Sequence, residues 1–199
     1  ISAADEGVPM LGAVLRYGQL VAPLQLAWVA ATQREPQRLF SRFGTAVGTL
    51  KALADGVELD AGIAERFDLG VIAEGGVFAG QVRKAVAHDY QQTAWVGTVT
   101  LDGGEPGLAI ERFTRHGPLA LLPLPTSDDA PRQAALVWCV ASGDDPVREL
   151  DDAQRIAVLN TLLPDDAGRI TAISTLKQFA LGLNAERTLV DGRSVRIGN

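Results

Sequence analysis

Four apolar runs of strand length follow one another between Thr93 and Ala141, each cut off by Gly, Pro or Asp. They are Thr93 to Leu101, Gly107 to Thr114, Pro118 to Leu124 and Ala134 to Ala141. Runs of this length bounded by turn residues read as strands. Links this short favour antiparallel neighbours, because a parallel pair needs a crossover of a dozen residues or more. The sharpest signal is Glu111 to Pro125: a strand, a Gly117-Pro118 turn, then a strongly apolar strand that ends in prolines. Proline at both ends of an apolar strand fits a sheet edge or a cavity wall. Plain core packing fits the same pattern, and pattern alone leaves both open.

The flanks add helices. Leu20, Leu24, Ala27 and Trp28 recur at helical spacing, which predicts an amphipathic helix over residues 19–31. Pro23 is tolerated in a first turn, which moves the expected start toward Ala22. Leu11 to Arg16 reads as a short strand, Arg38 to Leu53 as extended chain, and Asp55-Gly56 as a hairpin turn before Val57. Phe67 to Ala73 is a compact apolar strand broken by Glu74-Gly75-Gly76. Asp151 caps a helix running to Leu163, with Ile156, Leu159, Leu162 and Leu163 as its apolar face and Pro164 as its stop. Ile170 to Leu183 reads as one long strand, straight or bent, and Asp191-Gly192 turns into Val195-Arg196-Ile197. The expected class is α+β, a largely antiparallel sheet covered on one face by helices.

Composition narrows the function. The 199 residues are 47% apolar and 21% charged, ordinary for a globular protein, and suffice for a real core. A net charge of −6 argues against a nucleic-acid binder, which needs a basic surface. Cys139 is the sole cysteine, so no internal disulfide and no thiolate metal site is expected. Its apolar strand, Ala134 to Val140, marks it as a core thiol. No apolar run approaches the roughly 20 residues that span a bilayer. Leu20 to Ala31 is interrupted by Pro23 and Gln25. The chain opens on Ile1 without a secretory signal and stops at Asn199 in a strand-and-turn pattern, so both ends look cut.

Motifs for chemistry are sparse. There is no Gly-x-Gly-x-x-Gly unit, no phosphate-loop Gly-Lys-Ser/Thr and no Gly-x-Ser-x-Gly elbow. His88 and His116 lie in separate segments without a second ligand at helical spacing, so no metal site is expected. One turn stands out, Asp68 to Gly76, where a strand enters an acidic glycine turn. Such a turn can bring backbone N–H groups to a phosphate and a carboxylate to a sugar, and it can equally be a plain hairpin.

Several segments in order resemble the ubiquinone-biosynthesis hydroxylases, a family of hydroxybenzoate-hydroxylase-like flavoproteins. They are Leu11 to Val14, Asp68 to Gly76, Asp89 to Ala94, Glu111 to Leu124, Leu136 to Cys139 and Leu176 to Asn199. Glu111-Arg112-Phe113-Thr114 with Gly117 to Pro123 is the most specific part, and Tyr90-Gln91-Gln92-Thr93-Ala94 supports it. The resemblance implies an intact FAD-dependent monooxygenase that uses NAD(P)H and O2 to hydroxylate a polyprenylated phenol. It divides the chain into a crossover strand and helix (1–35), a middle piece of the FAD domain (36–90), a substrate domain (91–190) and the start of a C-terminal FAD piece (191–199). Part of an FAD-domain sheet should therefore accompany the substrate sheet.

Residue roles follow from the same resemblance. The family's Asp-Gly turn near the flavin pyrophosphate falls on Glu74-Gly75, and its Gly-Asp at the ribityl chain falls on Gly198-Asn199. The dinucleotide fingerprint would precede Ile1, so this piece by itself is expected to be inactive and to hold no cofactor. Phe113, Pro118, Leu122, Pro123, Leu124 and Trp138 are the expected substrate pocket, and no residue is singled out as catalytic acid or base. Leu122 and Leu124 stand where benzoate-using relatives carry polar and cationic groups. An apolar wall cannot pair a carboxylate, which implies a neutral phenol with a greasy tail. A cytoplasmic protein in peripheral contact with the membrane and with other ubiquinone-biosynthesis proteins, and with no nucleic acid, is the implied setting. The alternative is a non-catalytic lipid-binding or assembly module derived from the same substrate domain.

Overall fold

The structure, a computed structural model, describes residues 1–73, 86–126, 130–185 and 187–198. Among them the chain forms two α-helices and three sheets. The elements in order are α1 (Tyr17–Arg34), β1 (Thr49–Ala52), β2 (Val57–Asp60), β3 (Ala64–Phe67), β4 (Gly70–Ile72), β5 (Val86–Asp102), β6 (Ile110–Thr114) and β7 (Gly117–Pro123). They continue with β8 (Arg132–Ala141), α2 (Asp152–Leu162), a 3-10 turn (Asp165–Ala167), β9 (Arg169–Ile173), β10 (Lys177–Ala185), β11 (Val190–Asp191) and β12 (Ser194–Arg196).

The chain packs as two compact units. The first holds residues 1–30 and 91–181, the second residues 31–90 and 182–199. In the first unit the predicted meander is present, with strand order β10-β5-β8-β7-β6 and β9 also on β5. The pairs β5/β8, β8/β7 and β7/β6 are antiparallel. Side chains alternate across this sheet, and one face carries the core: Trp95, Val99 and Leu101 of β5, Leu119 and Leu121 of β7, and Leu136, Trp138 and Val140 of β8.

Helix α2 closes that core. Asp151 accepts from the Gln154 backbone at 2.8 Å while Gln154 Oε1 accepts from the Asp151 N–H at 2.9 Å, a reciprocal cap that fixes the helix start. Leu159 is fully buried, with Ile156, Leu162 and Leu163 packed beside it, as its periodicity predicts. Burial of a side chain such as Leu159 contributes about 1.5–3 kcal/mol. Asn160 ties the helix to β9: its amide donates to the Ile170 carbonyl at 3.0 Å, and its oxygen accepts from the Ile170 N–H at 2.8 Å. Asp145 receives the Trp95 indole N–H at 3.1 Å and the Val147 N–H at 2.9 Å, anchoring the loop before α2.

The second unit contains an antiparallel meander, β1-β2-β3, and a small sheet, β11-β12-β4. The Asp55-Gly56 turn joins β1 to β2 as expected, with Ala52 opposite Val57. In the small sheet β12 and β4 run parallel, Ser194 opposite Gly70 and Arg196 opposite Ile72.

The structure corrects six expectations. Helix α1 starts at Tyr17 and runs through Pro23, which sits inside it. The ring removes one helical N–H, and the flanking Leu20, Val21, Ala22 and Leu24 sustain the helix on both sides. This helix buries no residue, whereas α2 packs Leu159 into the core of the sheet. Leu11 to Arg16 is irregular, and regular extended structure in residues 38–53 begins only at Thr49. The run from Phe67 to Ala73 divides at Asp68-Leu69 between β3 and β4, which pair in different sheets. The long strand from Ile170 breaks after Ile173: Ser174 Oγ accepts the Thr98 N–H at 2.9 Å, and a Cβ on Gly97 would lie 2.6 Å from Leu176 and 2.9 Å from Ser174. Lack of a side chain at Gly97 leaves the space that this kink fills.

Candidate functional site

The first unit offers a second sheet face, opposite the core. Register defines its rows. Phe113, Pro118, Cys139 and Ala94 form one; Glu111, Ala120, Val137 and Val96 the next; Leu122, Ala135 and Thr98 the third; Gln133 and Thr100 the fourth. Apart from Phe113 and Leu122, the apolar side chains here are no larger than valine. Most are half-buried, whereas Phe113 at the edge is 80% exposed. Gly117 brings β7 close to β8, since a Cβ there would lie 2.4 Å from the Cys139 carbonyl oxygen. Burial pushes the Cys139 thiol above its ordinary pKa, so it stays protonated and unreactive.

The expected pocket residues divide between places. Pro118 and Leu122 lie on this face with Phe113 at its rim. Trp138 points the other way, 3% exposed, packed in the core. Pro123 and Leu124 line a cavity of about 290 Å³ on the core side, together with Leu101, Ile110, Leu121 and Ala134. Arg132 closes part of its rim by donating to the carbonyls of Gly103 and Glu105. Val96, Ala120, Ala135 and Val137 belong to the open face and were missed. Strict alternation along the predicted strands would have found them.

Gln133, in the fourth row, accepts a hydrogen bond from Arg16 at 2.6 Å across a separation of 117 residues. The Arg16 side chain is thereby fixed at one end of the open face.

In the second unit the parallel pair β4/β12 brings together the ends of the two segments expected to meet a cofactor. The Ile197 N–H donates to the Ile72 carbonyl at 2.9 Å, so Ala73 and Gly198 leave the sheet on the same side. Ligands of open α/β sheets bind beyond such carboxyl ends. A cavity of about 390 Å³ adjoins them, lined by Val47, Thr49, Leu50, Leu59, Gly70 to Ala73 and Arg196. Gly198 has φ 88° and open space where a side chain would stand, so its backbone is accessible. Of the four residues carried over for the cofactor, only Gly198 is described; Glu74, Gly75 and Asn199 lie outside the described residues. A guanidinium, a threonine hydroxyl and bare backbone at two strand ends fit one edge of a phosphorylated dinucleotide. They do not replace a glycine fingerprint at a helix N-terminus, which the sequence lacks.

Among the described residues no group of three His, Cys, Asp or Glu side chains gathers as a metal site, and no helix is long and apolar enough to cross a membrane. Elsewhere in the second unit, the exposed Arg42 and Glu65 form an ion pair that lowers the carboxyl's pKa mainly through their hydrogen bond.

A scan of known protein families finds no matching model. Solved structures do match. A salicylate hydroxylase in complex with substrate aligns over 87% of this chain and 49% of its own, at 16% identity and a TM-score of 0.50. Similar matches are 2,6-dihydroxypyridine-3-hydroxylase from Arthrobacter nicotinovorans (13% identity, 82% and 51% coverage, TM-score 0.49) and Klebsiella pneumoniae HpxO complexed with FAD and uric acid (18%, 85% and 46%, 0.48). The chain spans about half the length of these proteins. Over the aligned residues the chain has the fold of a part of that salicylate hydroxylase.

Proposed function

We propose that this chain is the central part of an FAD-dependent monooxygenase that hydroxylates a polyprenylated phenol in ubiquinone biosynthesis, with NAD(P)H and O2 as co-substrates. The observation that carries the reading is the β4/β12 parallel pair, which sets Ala73 beside Gly198 next to a cavity containing Arg196. Two stretches more than a hundred residues apart meet where a dinucleotide-binding sheet presents its ligand. Bound flavin supplies the activation of oxygen. Arg196, Thr49 and the Gly198 backbone hold one edge of that cofactor, while the small apolar rows of the first unit carry the substrate ring and exclude water. A prenylated substrate also gives the protein a reason to visit a membrane surface and to meet other proteins of the same pathway.

The test is to purify the whole product of the gene. The expected result is yellow, flavin-loaded protein that oxidises NAD(P)H when a prenylphenol is added and yields a hydroxylated ring. A well-folded whole protein without flavin refutes this reading and is the outcome that a non-catalytic lipid-binding module requires.

A further inference from the structure

We propose that Arg16, Gln133 and Thr100 form a donor cluster that holds an oxygen of an aromatic ligand, a phenol or a carboxylate, at one end of the open sheet face. The aromatic nature of the ligand rests on the monooxygenase reading; the donor cluster rests on geometry. Arg16 Nη2 donates to Gln133 Oε1 at 2.6 Å. That bond occupies the acceptor of Gln133 and leaves its amide N–H groups to offer. A guanidinium carries five N–H donors in a fixed fork and no acceptor, and among the described residues no carboxylate pairs with Arg16. Thr100 is directly opposite Gln133 on β5, which puts its Cβ about 4.5–5.5 Å away and its hydroxyl within reach of the same point. Three side chains therefore present donors together.

The surroundings select what these donors bind. The adjoining rows, Leu122-Ala135-Thr98 and Ala120-Val137-Val96, are apolar except for Thr98 and mostly small, so a flat ring fits against them. Among the described residues two acids stand on this face: Glu111 at the edge two rows away, and Asp102 one row beyond Thr100, where β9 sets Arg169 opposite it. A donor-rich set centred on a guanidinium beside a mostly apolar floor complements a ring bearing an oxygen with negative charge or strong acceptor character. The apolar Leu122 position alone implied a substrate without such a group; Arg16 supplies the cation from another part of the chain.

Titration of the isotope-labelled chain with benzoate, phenol and toluene, followed by NMR, tests this. Benzoate or phenol should shift the Gln133 side-chain amide and the Thr100 amide and bind at least about tenfold more tightly than toluene. Preference for benzoate identifies a carboxylate, and preference for phenol a ring hydroxyl. Arg16→Gln, on an exposed side chain, should leave thermal unfolding unchanged and abolish the preference. Gln133→Glu should do the same, because its carboxylate still pairs Arg16 but neutralises it and offers no donor. Equal affinity for all three probes, no binding, or a preference unchanged in Arg16→Gln overturns the proposal. No flavin enters the titration, so its outcome is independent of whether the whole protein carries flavin.

Discussion

Substituting Gly117 by alanine should be among the most damaging single-methyl changes in the chain. Gly117 has φ 135°, a conformation that L side chains rarely adopt. Its added Cβ would lie 2.4 Å from the Cys139 carbonyl oxygen and 2.9 Å from the carbonyl carbon, against ordinary contacts of 3.4 Å or more. Both neighbours are backbone of β8, held by the ladder that pairs β8 with β5 and β7, so neither can swing aside as a side chain would. Backbone strain costs about 1–3 kcal/mol, and overpacking of a close contact about 1–3 kcal/mol more. The expected loss is about 2–6 kcal/mol, a large fraction of the 5–15 kcal/mol by which domains of this size are stable. Gly107→Ala is the control: φ is 76° there and nothing lies within 4 Å of the new methyl, so it carries strain alone. Urea unfolding followed by the fluorescence of Trp95 and Trp138, both in the first unit's core, reports the difference. If Gly117→Ala costs no more than Gly107→Ala, the close approach of β7 to β8 is not as described and the row geometry of the open face falls with it.

Two further outcomes are expected. Asn160→Ala removes both bonds to Ile170, leaving a buried N–H and C=O without partners, and should cost about 2–4 kcal/mol in the same urea assay; Asn160→Asp, which keeps the acceptor, should fall between. The raised pKa of Cys139 means that the folded state holds the thiol proton more tightly than the unfolded chain does. Its contribution to stability is complete below the ordinary thiol pKa of about 8.5 and is lost as pH rises from there through the raised value. Unfolding free energy measured from pH 7 to 10 should decline, and Cys139→Ala should remove this thiol's part of the decline.

Much of the fold was legible because its signals are local. Each strand of the central meander is a short apolar run with its own turn residues, and α2 carries its cap, its apolar stripe and its stop within the fourteen residues from Asp151 to Pro164. What the sequence hid was decided between segments. Ile170 to Leu183 is continuous by composition, yet it breaks where Ser174 meets Thr98 and Leu176 fills the space beside Gly97. Phe67 to Ala73 is a single apolar run, yet its halves pair in different sheets. Helix α1 reads as amphipathic, yet none of its residues is buried, because periodicity states which side of a helix is apolar and not what lies against it.

The candidate site follows the same division. Leu122, Pro123 and Leu124 are neighbours in sequence, and an argument from composition places them on one wall. A strand alternates its side chains, so Leu122 faces the open side while Pro123 lines the core-side cavity; Leu124 follows the last residue of β7, escapes the alternation and lines the same cavity as Pro123. Conversely, the residues that do share the open face stand at every second position of four strands, and those that were missed, Val96, Ala120, Ala135 and Val137, are each too small to draw notice alone. Arg16 is harder still to foresee. Its partner is 117 residues away, and no local pattern connects an arginine before a helix with a glutamine at the start of a strand. Whether the face recognises a bare hydrocarbon surface or a ring oxygen therefore depends on a contact that only the folded chain creates, and removing Arg16 is the change that separates those two surfaces.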